Sequence, residues 1–544
     1  MATEAESGAR TLLIGLDAAN PTILERLFED GAMPRTERLF DAGVHGELQS
    51  QIPPWTASAW PSLYTGVNPG RHGVFGFLAF DGYDWELVDA DSVREWSLWE
   101  RCDEAGLTSV VVNVPVTHPP PSIDGAIVPG YMAPEEPSCH PAGILDEVER
   151  EIGEYRIYPP RQSTVSDERF LSELEALVRL RGEAFRYLVE SYTPEFGFLQ
   201  FQATDTVFHT FPGEYDAAKA VYSAVDEQIA ATVETFEPTA VILASDHGMG
   251  SYTNRFNVNA YLRQTGHVVA TATGDGMPQW DGVRDNELRY GVDSRTTSTT
   301  LSERLLATVS RVGITSQRVG RLLDRLGLLE TALEVVPADA IRAASEQVDF
   351  ESSIAYLRSR PECGIRINLE GREPNGVVDP DRYEDVRDEL IETLRRVETP
   401  DGSLVFEDVA ERETYFHGPY ADAAPDVVTV PHAFDTYLGA WLVDEVFEAP
   451  PAPVRDHNRT GIIAAAGDRI DTTATADGAH LFDVAPTVLA TLDIAPSDRM
   501  DGQSLPFVAT IPTETYPPYD QSVGGDAPGR SVESRLEDLG YIDR

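Results

Sequence analysis

The stretch TLLIGLD (residues 11–17) is an almost continuous apolar run that ends in a carboxylate. Such a run is typical of a strand that is buried on both faces of a parallel sheet. Two similar runs follow, FGFLQFQ at residues 196–202 and TAVILAS at residues 239–245. Helical patterns separate the runs. Strands that alternate with helices predict an α/β fold with a mostly parallel central sheet flanked by helices.

An aspartate lies just beyond each of these three predicted strands, namely Asp17, Asp205 and Asp246. Ligands of such sheets bind outside the carboxyl ends of the strands. His209 is four residues after Asp205, so one helical turn can direct both side chains to one ion, and His247 follows Asp246 on a predicted sharp turn. Carboxylate and imidazole donors together suit Zn²⁺ or Mn²⁺. The alternative for Asp17 is a simple strand-end cap.

The segment QIPPWTASAWPSLYTGVNPGRHGVFG (residues 51–76) combines two prolines, small residues and glycine turns. Pro53 and Pro54 favour an extended approach to a short helix over residues 57–64, because proline restricts its own φ and the preceding residue. We interpret the segment as a turn that presents Thr56 as a nucleophile. The alternative is an ordinary helix capped by Thr56, since threonine is a good N-cap residue.

Further helices and strands are predicted along the remaining chain. Helices are predicted at residues 21–42, 97–105, 167–192, 216–235, 381–397 and 483–492, and strand-like sequence at 108–115, 348–369, 426–430 and 461–466. Residues 266–347 lack buried strand runs, which predicts an inserted helical cap. The predicted organisation is therefore a catalytic core in two parts (1–265 and 348–511), the cap between them, and a surface-wrapping tail (512–544).

Composition restricts the class of protein. The formal net charge is −49, with 91 acidic residues and a single lysine, Lys219. A surface this acidic repels nucleic acid and anionic membrane, so neither is expected as a partner. The hydrophobic content of 42% argues against a disordered chain. We therefore expect a salt-adapted protein from a high-salt organism.

Three scattered cysteines, Cys102, Cys139 and Cys363, have no paired spacing, which indicates a reducing compartment rather than a disulfide framework. No stretch resembles a signal peptide or a membrane span. A cytoplasmic location is the expectation.

The motifs IGLDAAN, PPWTASAWPSLYTGVNPGRHGVFGF, ATDTVFHTF, ASDHGM, RDHNRTGII and DVAPTVLATLDI occur in this order over nearly the whole chain. In them the sequence resembles the alkaline phosphatase superfamily, and within it the type I phosphodiesterase/nucleotide pyrophosphatase family and its predicted phosphohydrolase or phosphomutase members. The resemblance implies two divalent metal ions. Asp205, His209 and a late histidine would bind one ion, and Asp17, Asp246, His247 and the nucleophile Thr56 would bind the other.

Four histidines are candidates for the late ligand: His417, His432, His457 and His480. We favour His457, because it precedes a glycine-hydrophobic strand as the final ligand of the family does. For His480 the alternative is a capping role before the helix of residues 483–492.

Nucleotide pyrophosphatases carry an asparagine shortly after the HG turn that helps to hold the phosphoryl oxygen, and this sequence has Phe77 at about that place. Asn113 or an arginine of the cap are the candidates to replace it. His72 and Gly73 match the family and are expected to shape the turn.

The favoured function is a metal-dependent phosphoester hydrolase of the phosphodiesterase type, which acts through a phosphothreonine and uses zinc, with manganese as the alternative. A phosphomutase or phosphomonoesterase of the same superfamily is the second reading. A non-catalytic binding protein that retains the fold is the third. The expected partner is a small phosphate ester. Ser58 and Thr65 are rival hydroxyls, each expected to face the helix interior or cap a turn.

Overall fold

The computed structural model describes residues 8–271, 347–449 and 454–519. The predicted cap is thus covered only at its two ends, and the predicted tail only over its first eight residues. The helices of the cap lie outside the described residues, and the domain boundaries stay predictions.

Twenty strands are present in the described parts of the chain. They are β1 (Thr11–Leu16), β2 (Val44–Gln49), β3 (Leu78–Asp81), β4 (Asp84–Leu87), β5 (Ser109–Val112), β6 (Gly125–Val128), β7 (Phe196–Phe201), β8 (Ala240–Ala244), β9 (Gly248–Tyr252), β10 (Asn254–Asn257), β11 (Ala270–Thr271), β12 (Gln347–Val348), β13 (Ala355–Tyr356), β14 (Gly364–Ile367), β15 (Phe406–Glu411), β16 (Val427–Pro431), β17 (Thr436–Gly439), β18 (Phe447–Glu448), β19 (Val454–Asn458) and β20 (Thr460–Ala466).

The same residues form twelve α-helices. They are α1 (Pro21–Glu29), α2 (Pro34–Ala42), α3 (Thr56–Thr65), α4 (Pro69–His72), α5 (Leu98–Glu104), α6 (Ile144–Ile152), α7 (Asp167–Tyr192), α8 (Ala203–Thr210), α9 (Tyr215–Phe236), α10 (Val258–Gln264), α11 (Tyr383–Leu394) and α12 (Val484–Thr491).

The central sheet has seven strands in the order β2-β20-β8-β1-β7-β5-β6. The strands β8, β1, β7, β5 and β6 pair in parallel, as the apolar runs predicted. Only β20 runs against the others, since it pairs antiparallel with both β8 and β2. The strands β1, β7 and β8 are buried along their whole length, which explains their continuous apolar sequences.

This topology gathers several connections at one edge of the sheet. The carboxyl ends of β1, β7 and β8 lie at that edge, and so does the end of β2, because β2 is parallel to β8. The strand β20 begins there because it runs in the opposite direction. The segments after β1, β2, β7 and β8 and the segment before β20 therefore converge at one place.

The helical sequence predicted over residues 21–42 forms two helices with a break between them. The chain forms α1 and α2, with Gly31 between them at a positive φ of 62° and Pro34 in the first turn of α2. Glycine adopts this φ without strain, and proline starts a helix but cannot continue one. The strand-like sequence 348–369 likewise forms only short pieces, the end of β12 and the strands β13 and β14.

A second hydrophobic core lies beside the first. Its four-stranded sheet has the order β13-β14-β16-β15, and α11 and α10 contribute buried side chains to it. The strands that flank the predicted cap, β11 and β12, pair antiparallel, so the two ends of the insertion are close together. None of the described helices has the combination of length and hydrophobicity that crossing a bilayer requires.

Candidate active site at the carboxyl edge of the sheet

Asp17, Asp246 and His247 form a fully buried group at this edge, each with 0% exposure. Asp17 follows β1 and the other two follow β8, and these strands are neighbours in the sheet. Hydroxyl groups hold the backbone of both loops: Thr204 donates to the Asp17 carbonyl at 2.7 Å, and Ser50 donates to the Asp246 carbonyl at 2.6 Å. The three side chains thus converge because their loops are pinned.

Asp205, His209 and His457 form a second group. The first two lie one turn apart on α8, as their spacing predicted, and their side chains approach to 3.2 Å. His457 arrives on β19, which pairs antiparallel with β9 and places His457 opposite Met249. Since β9 begins directly after His247, the rings of His457 and His247 stack with centroids 3.7 Å apart. This stacking places the two groups side by side.

The three carboxylates share one unusual feature: one oxygen of each accepts a hydrogen bond, and the other is buried without a hydrogen-bond partner among the described residues. The unpartnered atoms are Asp17 Oδ1, Asp205 Oδ1 and Asp246 Oδ2. The satisfied oxygens accept from Trp60 Nε1 (3.0 Å) and Gln200 Nε2 (2.8 Å) at Asp17, from Gln202 Nε2 (3.3 Å) at Asp205, and from the Ala18 amide (3.4 Å) at Asp246.

The hydrogen bonds of two histidines direct their other ring nitrogens to these oxygens. The Nδ1 of His247 lies 3.1 Å from the Gly248 carbonyl, and the Nδ1 of His457 lies 3.2 Å from the Pro54 carbonyl. A carbonyl only accepts, so Nδ1 carries the proton. In the neutral ring, Nε2 then presents a lone pair. These Nε2 atoms lie 3.1 Å from Asp246 Oδ2 and 3.3 Å from Asp205 Oδ1, both unpartnered oxygens.

Lone pairs of nitrogen and oxygen that face each other in a buried site fit a bound cation. The backbone carbonyls that orient the histidines are typical outer partners of metal-ligating imidazoles. The Asp205 group offers one carboxylate and two imidazoles, and the Asp17 group offers two carboxylates and one imidazole. Both donor sets suit a divalent ion of the zinc or manganese type. The residues present therefore fit two such ions.

Thr56 is the first residue of α3 and lies beside the Asp17 group. Its hydroxyl oxygen is 3.2 Å from His247 Nε2, and the side chain is buried. No side chain caps the start of this helix, so the alternative role of Thr56 as a plain N-cap is not what the structure shows. The rival hydroxyls are engaged elsewhere: Ser58 donates to the Val74 carbonyl at 2.8 Å, and Thr65 donates to the Pro61 carbonyl at 2.6 Å.

The pKa values of Asp17 and Asp205 shift in opposite directions. Burial, and then the negative charge of Asp246, raises the pKa of Asp17 well above its ordinary value. Burial acts in the same direction on Asp205, but the charges of His209 and His457 and their contacts with the carboxylate together outweigh it and lower the pKa of Asp205 well below its ordinary value. Burial lowers the pKa of His457 to about 4, which keeps that ring neutral at pH 7 and its Nε2 lone pair available.

The other histidine candidates lie outside both groups. The Nε2 of His417 pairs with Asp501 Oδ1 at 2.7 Å, and His432 is exposed at the start of a helical turn. His480 caps the turn before α12, because its Nδ1 accepts from the Phe482 amide at 3.3 Å. The structure thus brings only His457 of the four to Asp205 and His209.

A cavity of about 640 Å³ opens onto Thr56 and the Asp205 group. Phe77 and Asn113, the two residues weighed for the phosphoryl-holding position, both line it. The Nδ2 of Asn113 donates to the backbone carbonyl and to the side-chain oxygen of Gln200, at 3.0 and 2.7 Å. The arginines of the cap, the other candidates, lie outside the described residues.

Four arginines line the cavity, Arg161, Arg181, Arg360 and Arg455, and none of them was singled out from the sequence. Arg455 is two residues before His457 on β19, and the strand period of two is a signal that could have found it. Arg360 lies in a short helical turn between β13 and β14, far from any site motif, and no sequence signal marks it.

The chain is similar in sequence to one protein family and in fold to several solved structures. The family model described as type I phosphodiesterase / nucleotide pyrophosphatase matches residues 11–313, more than half of the 544 residues. No protein with a curated description matches the chain.

Among solved structures, phosphonoacetate hydrolase from Sinorhizobium meliloti 1021 in complex with phosphonoformate is 16% identical, with a TM-score of 0.50. That match covers 89% of this chain and 95% of the other. A mutant of the alkaline phosphatase PafA is 12% identical, with a TM-score of 0.53, and the match covers 93% of this chain and all of the other. At these identities the likeness establishes the alkaline phosphatase-like fold.

Proposed function

Because this chain belongs to the type I phosphodiesterase / nucleotide pyrophosphatase family, we propose that it hydrolyses a phosphoester through the hydroxyl group of Thr56. The observation that carries this proposal is the position of Thr56 Oγ1, which is 3.2 Å from His247 Nε2, beside a group with two unpartnered carboxylate oxygens. This arrangement supports a nucleophile held next to a cation-binding group.

The two groups of ligands would each hold one divalent cation, with zinc favoured and manganese as the alternative. Asp205, His209 and His457 would bind one ion, and Asp17, Asp246, His247 and Thr56 the other. Bound dications supply two things to such chemistry: they favour the ionised form of the threonine hydroxyl, and they offset negative charge on the phosphoryl oxygens and the leaving oxygen.

The protein residues then account for the remaining steps. The Thr56 hydroxyl gives up its proton to solvent as its oxygen attacks phosphorus, the bond from phosphorus to the ester oxygen breaks, and that oxygen leaves with the electron pair and takes up a proton from solvent. This forms a phosphothreonine and releases the alcohol. A water molecule then attacks the same phosphorus and loses a proton, the bond to the Thr56 oxygen breaks with its electron pair on oxygen, and that oxygen takes up a proton, which restores the threonine hydroxyl. The complete burial of α3 holds Thr56 in one place throughout.

We propose phosphodiesters ahead of monoesters as substrates, in line with the family. The cavity leaves room beyond Thr56 for a second ester group, and Phe77 and Tyr131 provide an aromatic wall with ring centroids 6.3 Å apart.

The test replaces Thr56 by alanine and compares turnover on a panel of mono- and diesters with added Zn²⁺ or Mn²⁺ at high salt. We expect Thr56→Ala to lose at least about 1,000-fold in kcat. Thr56→Ser, which keeps a hydroxyl group, should retain measurable turnover. Elemental analysis should find the same metal content in Thr56→Ala as in the wild type. Near-normal turnover by Thr56→Ala would refute the nucleophile assignment.

A further inference from the structure

Arg360 presents a fixed guanidinium group to the cavity. Its plane is stacked between the rings of Trp55 and Tyr437, 4.6 and 4.4 Å from their centroids, and its Nη1 donates to Asp456 Oδ2. Asp456 is buried, and its other oxygen accepts from the His457 amide at 2.9 Å. Stacking and the ion pair immobilise the guanidinium before any ligand binds, and the side chain keeps 25% of its surface exposed.

Arg455 lines the same cavity and is held differently. Its guanidinium packs over the ring of Phe208 at 5.4 Å, and its side chain forms no ion pair or hydrogen bond with any residue in the described part of the chain. This is notable in a protein with 91 acidic residues and only 42 basic ones. A partly buried arginine without an acidic partner among the described residues is available to a negatively charged ligand.

The position of Thr56 indicates which part of a substrate would reach these arginines. The hydroxyl oxygen of Thr56 lies 3.2 Å from Nε2 of His247, which belongs to the Asp17 group. In a displacement at phosphorus, the leaving oxygen departs opposite the nucleophile. The cavity onto which Thr56 opens is also lined by His457, Arg360 and Arg455, so a leaving group that departs from Thr56 into this cavity would come within reach of the two arginines.

We propose that Arg360 and Arg455 bind an anionic group, a phosphate or a carboxylate, on the leaving-group side of the substrate. The substrate class is thus a phosphoester whose leaving group carries its own negative charge, rather than the ester of a neutral alcohol. This inference rests on the proposed function. Planar guanidinium groups that offer several N–H donors recognise carboxylate and phosphate oxygens through charge-assisted hydrogen bonds.

The experiment measures kcat/KM for two substrates: methyl p-nitrophenyl phosphate, and the same ester of a p-nitrophenol that carries a ring carboxylate. In both, the bond from phosphorus to the aryl oxygen breaks and the electron pair leaves with the nitrophenolate, which absorbs visible light. The ratio of the two values is compared among variants, so that the intrinsic reactivity of each ester cancels.

We expect the wild type to prefer the charged ester, and Arg455→Gln and Arg360→Gln each to lower the ratio by about tenfold, which is the size of one lost charge-assisted hydrogen bond. The matched control is Arg469→Gln. Arg469 does not line the cavity, and its Nη1 lies 2.8 Å from Asp493 Oδ2. The control substitution should leave the ratio unchanged. Arg360→Gln leaves Asp456 unpaired, so this variant could fail to fold. Arg455→Gln removes no ion pair among the described residues, so in that case its ratio of kcat/KM values alone tests the inference.

Equal losses on both esters would overturn the inference, because the arginines would then act on the transferred phosphoryl group. A wild type that hydrolyses the charged ester no better than the neutral one, or not at all, would overturn it too. If Thr56→Ala still hydrolysed the esters, the proposed nucleophile would be overturned instead. The failure of this inference and the failure of the proposed function can therefore be told apart.

Discussion

Each aspartate of the site divides its two oxygens between two tasks. One oxygen accepts a hydrogen bond that orients the carboxylate, and the other points into the site without a hydrogen-bond partner among the described residues. A buried polar atom without a partner costs about 1–3 kcal/mol, and more when it is charged. The two cations that we propose would account for all three of these atoms, which lie beside three imidazoles.

His457 and His480 allow a matched test at the scale of single residues. His457→Ala removes one of the three ligands of the Asp205 group, so we expect the dialysed protein to lose one of two bound divalent ions per chain. His480→Ala removes only the cap before α12 and should keep both ions, with a loss of about 1 kcal/mol in the free energy of unfolding. Elemental analysis and urea unfolding measure the two quantities.

The reverse pattern, with an ion lost in His480→Ala and none in His457→Ala, would show that the late ligand is misassigned. A shift in the unfolding midpoint alone, with unchanged metal content in both variants, would contradict the Asp205 group as a metal site.

The sequence predicted the side chains at strand ends but not the arginines. Asp17, Asp205 and Asp246 each follow a recognisable apolar run, so their meeting at one edge follows from the sheet rule alone. Arg360 reaches the cavity through the packing of the second core against the first, and nothing in its local sequence marks it. Such a residue depends on tertiary contacts that periodicity does not encode.

At the scale of elements, α3 is held by a closed ring of five buried hydrogen bonds. The Val74 amide donates to His72 Nδ1, His72 Nε2 donates to Ser62, Ser62 donates to Gln51, Gln51 donates to Ser58, and Ser58 donates to the Val74 carbonyl. Burial lowers the pKa of His72 to about 3, so the ring stays neutral and the direction of each bond is fixed. The ring explains why Ser58 is unavailable as a nucleophile.

Ser62→Ala should therefore destabilise the protein well beyond the loss of one hydroxyl group. It leaves Gln51 Oε1 and the Nε2 proton of His72 buried without a partner, which we expect to cost about 2–4 kcal/mol. The control is Thr65→Val in the same helix, because the Thr65 hydroxyl donates only to the Pro61 carbonyl. This substitution should lower the free energy of unfolding by about 1 kcal/mol. Urea unfolding with unchanged m-values measures both.

Equal losses in Ser62→Ala and Thr65→Val would show that the ring contributes no more than isolated hydrogen bonds. The predicted role of His72 in shaping the turn after α3 would then have to be explained by packing alone.

Elements with a strong single pattern were predicted best. The helix α7 has the predicted bounds, residues 167–192, because its apolar period continues through Gly182 from the N-cap residue Ser166 to the C-cap residue Thr193. The break within the helical sequence predicted over residues 21–42 was not predicted, because Gly31 and Pro34 act through the backbone rather than through the hydrophobic pattern. The direction of β20 could not be predicted, because its apolar run is buried like those of the parallel strands although it pairs antiparallel with both neighbours.

At the scale of the whole molecule, the candidate site draws on five separate stretches of chain. The segments after β1, β2, β7 and β8 and the strand before β20 each supply at least one residue, and the second core adds Arg360. The site therefore depends on the complete fold. Salt adaptation, expected from the net charge of −49, stays a prediction.

The stereochemical course at phosphorus tests the central claim most directly. Attack by Thr56 and then by water inverts the phosphorus twice, so hydrolysis of a chiral phosphorothioate diester in heavy-oxygen water is predicted to proceed with net retention of configuration. Net inversion would mean that water displaces the leaving group in a single step, and it would contradict a phosphothreonine at Thr56.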